Sequence, residues 1–207
     1  MPPSTVLSPK ECRDLLDTLA PANGSAYQQH AKVRNTVIAL LMLDAGCRRE
    51  EVTRLRYRHA YWDHRPREYL DIPDDIAKYE VGGQIPISPR LSRALDNLLV
   101  EYHHPNSYND DHYLIYRSDP TRPLGVRQVA RIIELAAKEA IRRHVYPHML
   151  RHTFIDTLRS VTDIATVQSL ARHKHLSSTQ VYFHVTESQR RQAIAAVAMM
   201  HNQETAP

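Results

Sequence analysis

Three stretches of the chain, far apart in sequence, carry side chains of the kinds that act as phosphate ligands, proton carriers and nucleophiles. These side chains are Arg48, His148, Arg151, His173 and Tyr182. His148 and Arg151 are three residues apart, so on a helix they would share one face. Glu51 follows Arg48 at the same spacing and is placed to hold its guanidinium. The chemistry requires that the three stretches meet in the folded protein.

If they meet, two guanidiniums, two imidazoles and one phenol would surround a single point. Arginines can bind the non-bridging oxygens of a phosphodiester, and a tyrosine oxygen can attack its phosphorus. A histidine would take the phenolic proton, because an ordinary tyrosine pKa of about 10 keeps the hydroxyl protonated at neutral pH. The set contains no clustered pair of carboxylates for a divalent metal. The pattern therefore predicts phosphodiester cleavage with no metal and no other cofactor.

The distribution of charge favours a polyanionic partner. The net charge is +4, from 27 Lys and Arg against 23 Asp and Glu, and only five of the basic residues are lysine. Residues 117–151 hold eight basic and three acidic side chains, so this segment is +5 and the remainder is −1. Arginine binds phosphate through two parallel hydrogen bonds, which suits a polyanion that carries phosphates. A solvated helix face would give the same charge pattern and is the alternative.

The elements that must position these residues are mostly helical. Apolar periodicity and capping residues predict helices over residues 9–19, 33–45, 50–55, 89–101, 126–140, 147–159, 164–171, 178–182 and 187–200. Residues 60–63, 68–72 and 84–87 are typical of short strands, with turns at 64–66 and 82–83. We expect the only tryptophan, Trp62, to pack in the core of these strands. The fold class predicted is mainly α with a small antiparallel β-sheet, an α+β domain.

Composition is typical of one globular domain in the cytoplasm. Apolar residues make up 42% and charged residues 24% of the 207 residues, enough for a core without disulfides. The two cysteines, Cys12 and Cys47, are too few for a secreted disulfide scaffold and are expected to be reduced. The apolar runs are too short to cross a bilayer, and the first residues lack a signal-peptide pattern. We expect no membrane partner.

Together, the three stretches resemble the tyrosine recombinase, or phage integrase, family. The family pattern is Arg…Lys…His-x-x-Arg…His…Tyr, and the chain shows His148-Met-Leu-Arg151-His-Thr, then Leu170-Ala-Arg-His173, then Tyr182. The spacings strengthen the match: 25 residues from His148 to His173, nine more to Tyr182, and about 100 back to Arg48. The resemblance covers nearly the whole chain from about Val6. It implies the catalytic-domain fold of this family.

The resemblance also implies a role for each matching residue. Arg48 and Arg151 would clamp the scissile phosphate. His148 would act in proton transfer, and His173 would hydrogen-bond a non-bridging oxygen. Tyr182 would become joined to the 3′ phosphate, so that the strand can be rejoined without ATP. The lysine that protonates the leaving 5′ oxygen in the family is matched by Lys78, which lies between the predicted strands.

Five further arginines are expected to contact double-stranded DNA: Arg49, Arg127, Arg131, Arg142 and Arg172. Arg172 departs from the family, which usually has glycine before the histidine of the third stretch. An arginine there loses the easy left-handed helix end that glycine gives and adds a cation near the site. This cation is expected either to contact DNA or to mark a slow enzyme.

The resemblance further implies domain organisation and assembly. We expect a single catalytic domain over residues 1–207, with a core at about 6–185 and a C-terminal helix at about 186–200. The N-terminal clamp domain of most family members is expected to be absent, either as in the short recombinases made of the catalytic domain alone or because the chain is an excised fragment. Strand exchange needs several active sites, so a homo-oligomer on DNA is implied, a tetramer of a chain that is monomeric in solution. The terminal helix is the candidate for docking on a neighbouring protomer.

The function implied is site-specific recombination of DNA, as in integration or inversion, and three alternatives stay open. A type IB topoisomerase-like enzyme would use the same chemistry without pairing two sites. A DNA-binding regulator would keep an idle site. A metal-dependent nuclease could be built on the histidines. Trapping a covalent protein–DNA adduct in the presence of EDTA separates the recombinase from the regulator and the nuclease, and relaxation of any supercoiled plasmid would mark the topoisomerase-like enzyme.

Overall fold

The computed structural model describes residues 5–19, 26–77, 82–102 and 109–172. Within these ranges the helices are α1 Pro9–Leu19, α2 Ala26–Leu43, α3 Arg49–Arg54, α4 Tyr57–Ala60, α5 Pro89–Tyr102, α6 Val126–Ala140, α7 Pro147–Val161 and α8 Ile164–Ala171. The strands are β1 Tyr61–Trp62, β2 Arg65–Pro66, β3 Tyr69–Ile72 and β4 Gly83–Pro86. The predicted α+β fold class is confirmed. Lys78, His173, Tyr182 and the two helices predicted beyond residue 172 lie outside the described residues.

Helix α2 forms the centre of the hydrophobic core. The apolar stripe predicted for it is buried, with Val33, Val37, Leu40 and Leu41 each at most 5% exposed. The second half of the helix is buried on its other faces too, because α5 and α7 pack against it and α1 and α6 also contact it. The central helix thus anchors the turn that follows it, from which the first chemical stretch begins.

Gly46 ends the region of α2, as predicted, and it does so in a left-handed conformation with φ +57°. The N–H of Cys47 then donates to the carbonyl of Leu41 at 2.8 Å, which closes the turn. A Cβ on Gly46 would lie 2.4 Å from the ring of Phe154 in α7. Only glycine suits both the backbone and the close approach of α7. This turn places Arg48 at the start of α3 and next to α7.

The strands form two small antiparallel pairs, β1 with β2 and β3 with β4. The first turn was predicted at residues 64–66, but it lies at Asp63 and His64, which both have positive φ. That two-residue turn matches the twist of a hairpin, and it leaves Arg65 and Pro66 to pair as β2. Leu70 pairs with Ile85 on the buried side of the second hairpin.

The expectation that Trp62 packs in the core is wrong. Its side chain is 74% exposed, and the guanidinium carbon of Arg67 lies 5.8 Å from the ring centroid. Successive side chains of a strand point to opposite faces, and Tyr61 takes the buried face of β1.

Two further features of the described residues bear on the expectations above. No helix in these ranges combines the length and the apolar character needed to cross a bilayer. Cys12 and Cys47 are both free, and burial raises the pKa of the Cys47 thiol to about 12.

Candidate active site

The first and second chemical stretches meet where the start of α3 faces the first turn of α7. They line a cavity of about 280 Å³. Its walls include Arg48, His148 and Arg151, together with Arg49, Glu134 and Tyr146. The structure therefore brings together three of the five side chains that the sequence singled out. His173 and Tyr182 come after residue 172, and Lys78 falls in the gap at residues 78–81. All three therefore lie outside the described residues.

Arg48 is held from its own helix, as the spacing predicted. Its backbone N–H donates to Oε2 of Glu51 at 2.7 Å, and its Nη1 donates to Oε1 of the same carboxylate at 2.8 Å. The Arg48 side chain keeps 13% exposure, whereas that of Glu51 has 1%. The guanidinium is thus fixed on one side and accessible on the other, the side that lines the cavity.

Arg151 is fixed by backbone carbonyls. It is 2% exposed, and its two terminal nitrogens donate to the carbonyl oxygens of Gly46 and Ala171. These bonds join α7 to the turn after α2 and to the end of α8. Burial, and then the positive charges of Arg48 and Arg172, lower the pKa of Arg151 to about 9. The group therefore remains a cation at neutral pH.

His148 lines this cavity. It is exposed, and its ring meets that of His152 edge to face, with 4.4 Å between the ring centroids. Burial lowers the pKa of His152, and the charges of His148 and Arg151 lower it further. His152 therefore favours its neutral form. It supports His148 by packing, while His148 faces the cavity from the same helix face as Arg151.

The expectation that Arg172 contacts DNA is corrected by the structure. Its side chain is 1% exposed, and its Nη2 lies 2.5 Å from Oε2 of Glu51. Its backbone ends α8 in the left-handed conformation, φ 52° and ψ 51°, without a glycine. The buried carboxylate explains this placement, because a buried acid needs opposite charge around it. The sequence feature that set this position apart was an arginine in place of the usual glycine.

Glu51 binds both Arg48 and Arg172. Burial alone would raise the pKa of the Glu51 carboxyl, but Arg172, the Arg48 N–H and the Arg48 guanidinium together bring it below its ordinary value. The group is therefore ionised at neutral pH. One carboxylate holds two arginines in place.

A groove of about 780 Å³ adjoins the cavity, and Arg49 and Glu134 line both. The other four arginines expected to contact DNA all line this groove: Arg49, Arg127, Arg131 and Arg142. On α6, Arg127, Arg131 and Lys138 lie on one exposed face. The groove is therefore a basic surface that leads to the site. Among the described residues, no group of three or more His, Cys, Asp or Glu is arranged to hold a metal ion.

Comparison with known sequences identifies a family model and relatives that are tyrosine recombinases. The model of the phage integrase family matches residues 5–189. Tyrosine recombinase XerC of Listeria innocua is 36% identical over 115 residues, which cover 55% of this chain and 33% of the relative. XerC of Pseudomonas fluorescens is 27% identical over 195 residues, 88% of this chain and 61% of the relative. Both alignments span less than two thirds of the relative's length.

Solved structures share the fold at low sequence identity. The XerA recombinase superposes with a TM-score of 0.68 at 22% identity, covering 99% of this chain and 64% of that one. The XerH site-specific recombinase bound to its difH substrate superposes with a TM-score of 0.72 at 19% identity, covering 92% and 54%. The family match over residues 5–189 shows that this chain belongs to the phage integrase family.

Proposed function

We propose that the protein is a site-specific DNA recombinase that cleaves and rejoins strands through a 3′-phosphotyrosine intermediate. The observation that carries this proposal is the shared cavity of Arg48, His148 and Arg151, which adjoins the basic groove along α6. The sequence matches to XerC proteins support it.

Arg48 and Arg151 bind the two non-bridging oxygens of the scissile phosphate. Each guanidinium is held in advance, Arg48 by Glu51 and Arg151 by the carbonyls of Gly46 and Ala171. Positive charge that is already in place stabilises the negative charge that develops on the phosphoryl oxygens, at no cost of reorganisation. This is the contribution of the two arginines to the reaction.

The remaining roles follow the family pattern. The oxygen of Tyr182 attacks the phosphorus, and its proton passes to His148. As the bond to the tyrosine forms, the bond from phosphorus to the 5′ oxygen breaks, and Lys78 protonates that oxygen. His173 hydrogen-bonds a non-bridging oxygen. The phosphodiester energy is kept in the tyrosine link, so a 5′ hydroxyl can later reverse the reaction without a metal or ATP.

Exchange between two duplexes requires four cleavages, and each protomer supplies one tyrosine. Four protomers on two DNA sites are therefore proposed, assembled from a chain that is monomeric in solution. The mass of the protein measured with and without paired DNA sites tests this assembly. A measured mass that corresponds to one protomer bound to one duplex, under conditions that support strand exchange, would contradict the tetramer.

A nicked duplex that traps the intermediate tests the chemistry. The substrate is a pool of nicked duplexes with randomised sequence, which is first enriched for binding to the protein. After cleavage next to the nick, the short fragment diffuses away and the strand cannot be rejoined. We expect a protein–DNA adduct that survives denaturation, forms with EDTA present and disappears in Tyr182→Phe. Tyr69→Phe is the matched control, because Tyr69 lies on β3, is 47% exposed and does not line the cavity.

Other outcomes select the alternatives. Binding without any adduct would show an idle regulator. Cleavage that EDTA stops and Tyr182→Phe spares would show a metal-dependent nuclease. Relaxation of any supercoiled plasmid by the free protein would favour the topoisomerase-like enzyme.

A further inference from the structure

We propose that Arg172 is a positioning residue for the proposed recombination reaction, which holds Glu51 against Arg48 and thereby fixes the phosphate-binding arginines. The inference rests on the proposed function above. It starts from a residue whose type departs from the glycine that is usual in the family, and from the internal contacts that this residue makes.

The first observation is a carboxylate that bridges two arginines. Oε1 of Glu51 accepts from Arg48 at 2.8 Å, and Oε2 accepts from Arg172 at 2.5 Å. Arg172 and Glu51 are each 1% exposed, so water does not screen their attraction. The orientation of the Glu51 carboxylate is therefore set from both ends. Arg48, at one end, takes its own orientation from that carboxylate.

The second observation is that Arg172 lies where the segments of the site meet. Its Nη1 lies 3.5 Å from the carbonyl oxygen of Ala45, next to Gly46, whose own carbonyl accepts from Arg151. The carbonyl of Ala171, the residue before Arg172, also accepts from Arg151. Arg151 and Arg172 thus cross-link the end of α8 to the turn that precedes α3.

The stem of Arg172 lies beside the start of β4. Its Cδ and Cγ lie 3.7 and 3.8 Å from the point that a Cβ on Gly83, the first residue of β4, would occupy. The same side chain is therefore next to the hairpin while it bonds to the turn after α2 and to the acid of α3.

The third observation is the backbone of Arg172. A left-handed conformation is unfavourable for any residue with a Cβ, and glycine would adopt it without cost. The side-chain contacts of Arg172 help to offset this cost. Arg142 likewise has a positive φ after α6 but an exposed side chain, so burial against Glu51, and not the backbone alone, distinguishes Arg172.

Loss of the Arg172 charge should leave Oε2 of Glu51 held by the Arg48 N–H alone, and should let the carboxylate and the Arg48 guanidinium shift together. Displacing a catalytic group by about 1 Å costs about 100-fold in rate. DNA affinity should change little, because Arg172 is not one of the arginines that line the groove. The expected signature is a slower chemical step at an unchanged dissociation constant.

The experiment compares Arg172→Met, which keeps the stem, with Arg172→Lys, which keeps the charge. Single-turnover formation of the covalent adduct is measured at saturating nicked duplex, and binding is measured separately. We expect the rate of Arg172→Met to fall about 100-fold, with the dissociation constant within about twofold of wild type. Arg172→Lys should recover a large part of the rate. An unchanged rate in Arg172→Met overturns the proposal.

Val167→Ala is the matched control, because Val167 is fully buried in the same helix and makes no contact with Glu51 among the bonds described. It should lower the melting temperature without slowing the adduct rate. An equal slowing by Val167→Ala would show that Arg172 serves only the stability of α8, and would overturn the proposal.

A readout without catalysis separates this inference from the proposed function. In nuclear magnetic resonance spectra, the Arg48 guanidinium N–H protons should exchange with water faster in Arg172→Met than in wild type or Val167→Ala. Unchanged exchange overturns the positioning role, even if the wild-type protein forms an adduct. Faster exchange supports it, even if the wild-type protein forms none and the proposed function fails.

Discussion

At the scale of single residues, the site depends on one acid among several cations. Glu51 is 1% exposed and binds both Arg48 and Arg172, while Arg151 is buried nearby. Removing one partner of a buried ion pair leaves an uncompensated charge and costs about 3 to 5 kcal/mol. Glu51 therefore contributes to the free energy of unfolding as well as to the placement of the two arginines proposed to bind phosphate.

Glu51→Gln tests this contribution through its pH dependence. We expect the variant to lose about 3 kcal/mol of unfolding free energy at pH 7, measured by urea denaturation. The pKa of Glu51 is lowered in the folded protein, so its contribution is complete above the ordinary value of 4.5 and is lost as the pH falls through the folded value. The stabilities of wild type and variant should therefore converge in acid.

Glu139→Gln is the control for this prediction, because Glu139 is an exposed carboxylate on α6. Its effect should stay within about 0.5 kcal/mol across the pH range. A wild-type advantage over Glu51→Gln that persists undiminished at pH 3 would contradict the assignment of the ionised Glu51 as the stabilising group.

At the scale of elements, the turn between α2 and α3 sets the geometry of the site. Gly46 has φ +57°, a Cβ there would lie 2.4 Å from the Phe154 ring, and its carbonyl accepts from Arg151. The same residue thus controls the approach of α7 and the orientation of Arg151, which is proposed to bind phosphate. A change at this turn should affect stability and chemistry together.

Gly46→Ala is expected to cost about 2 to 5 kcal/mol of unfolding free energy, from left-handed strain of about 1 to 2 and overpacking of about 1 to 3. The adduct rate should fall as well, because α7 must shift. Thermal unfolding and single-turnover cleavage measure the two effects. Gly125→Ala is the control, since Gly125 has φ −67° and a Cβ there would approach only the flexible Gln128 side chain. Equal effects of the two substitutions would refute the argument from conformation.

The elements were predictable from sequence wherever the determining interactions are local. Asp163 caps α8 by accepting from the Thr166 N–H at 2.9 Å, and Gly46 ends the α2 region, as their residue types indicated. Arg48 and Glu51 pair across one helical turn for the same reason.

The failures concern contacts between distant residues. The bond from Arg172 to Glu51 spans 121 positions, and no local pattern states which acid a buried arginine will meet. The exposure of Trp62 depends on which face of a two-residue strand packs on the core, which composition cannot give. Tertiary packing determined both positions.

At the scale of the whole molecule, charge is concentrated where DNA is expected to bind. The net charge is only +4, but the segment over residues 117–151 carries +5 and the remainder −1. Three of the arginines expected to contact DNA come from this segment, while Arg49 reaches the same groove from α3. DNA affinity should therefore depend on where a cation lies, and less on the total charge.

The salt dependence of DNA binding distinguishes the effect of a cation's position from the effect of the net charge. Each phosphate neutralised releases counterions and adds about 0.9 to the slope of log affinity against log salt concentration. Arg131→Ala should therefore reduce the slope by about 1, and Arg127→Ala combined with Arg131→Ala by about 2. Arg122→Ala changes the net charge by the same amount as Arg131→Ala, but Arg122 is 86% exposed beside Asp119 and does not line the groove. Its slope should match wild type in a titration of the same duplex. Equal slopes for Arg122→Ala and Arg131→Ala would mean that the net charge governs binding and that the groove along α6 is not the DNA surface.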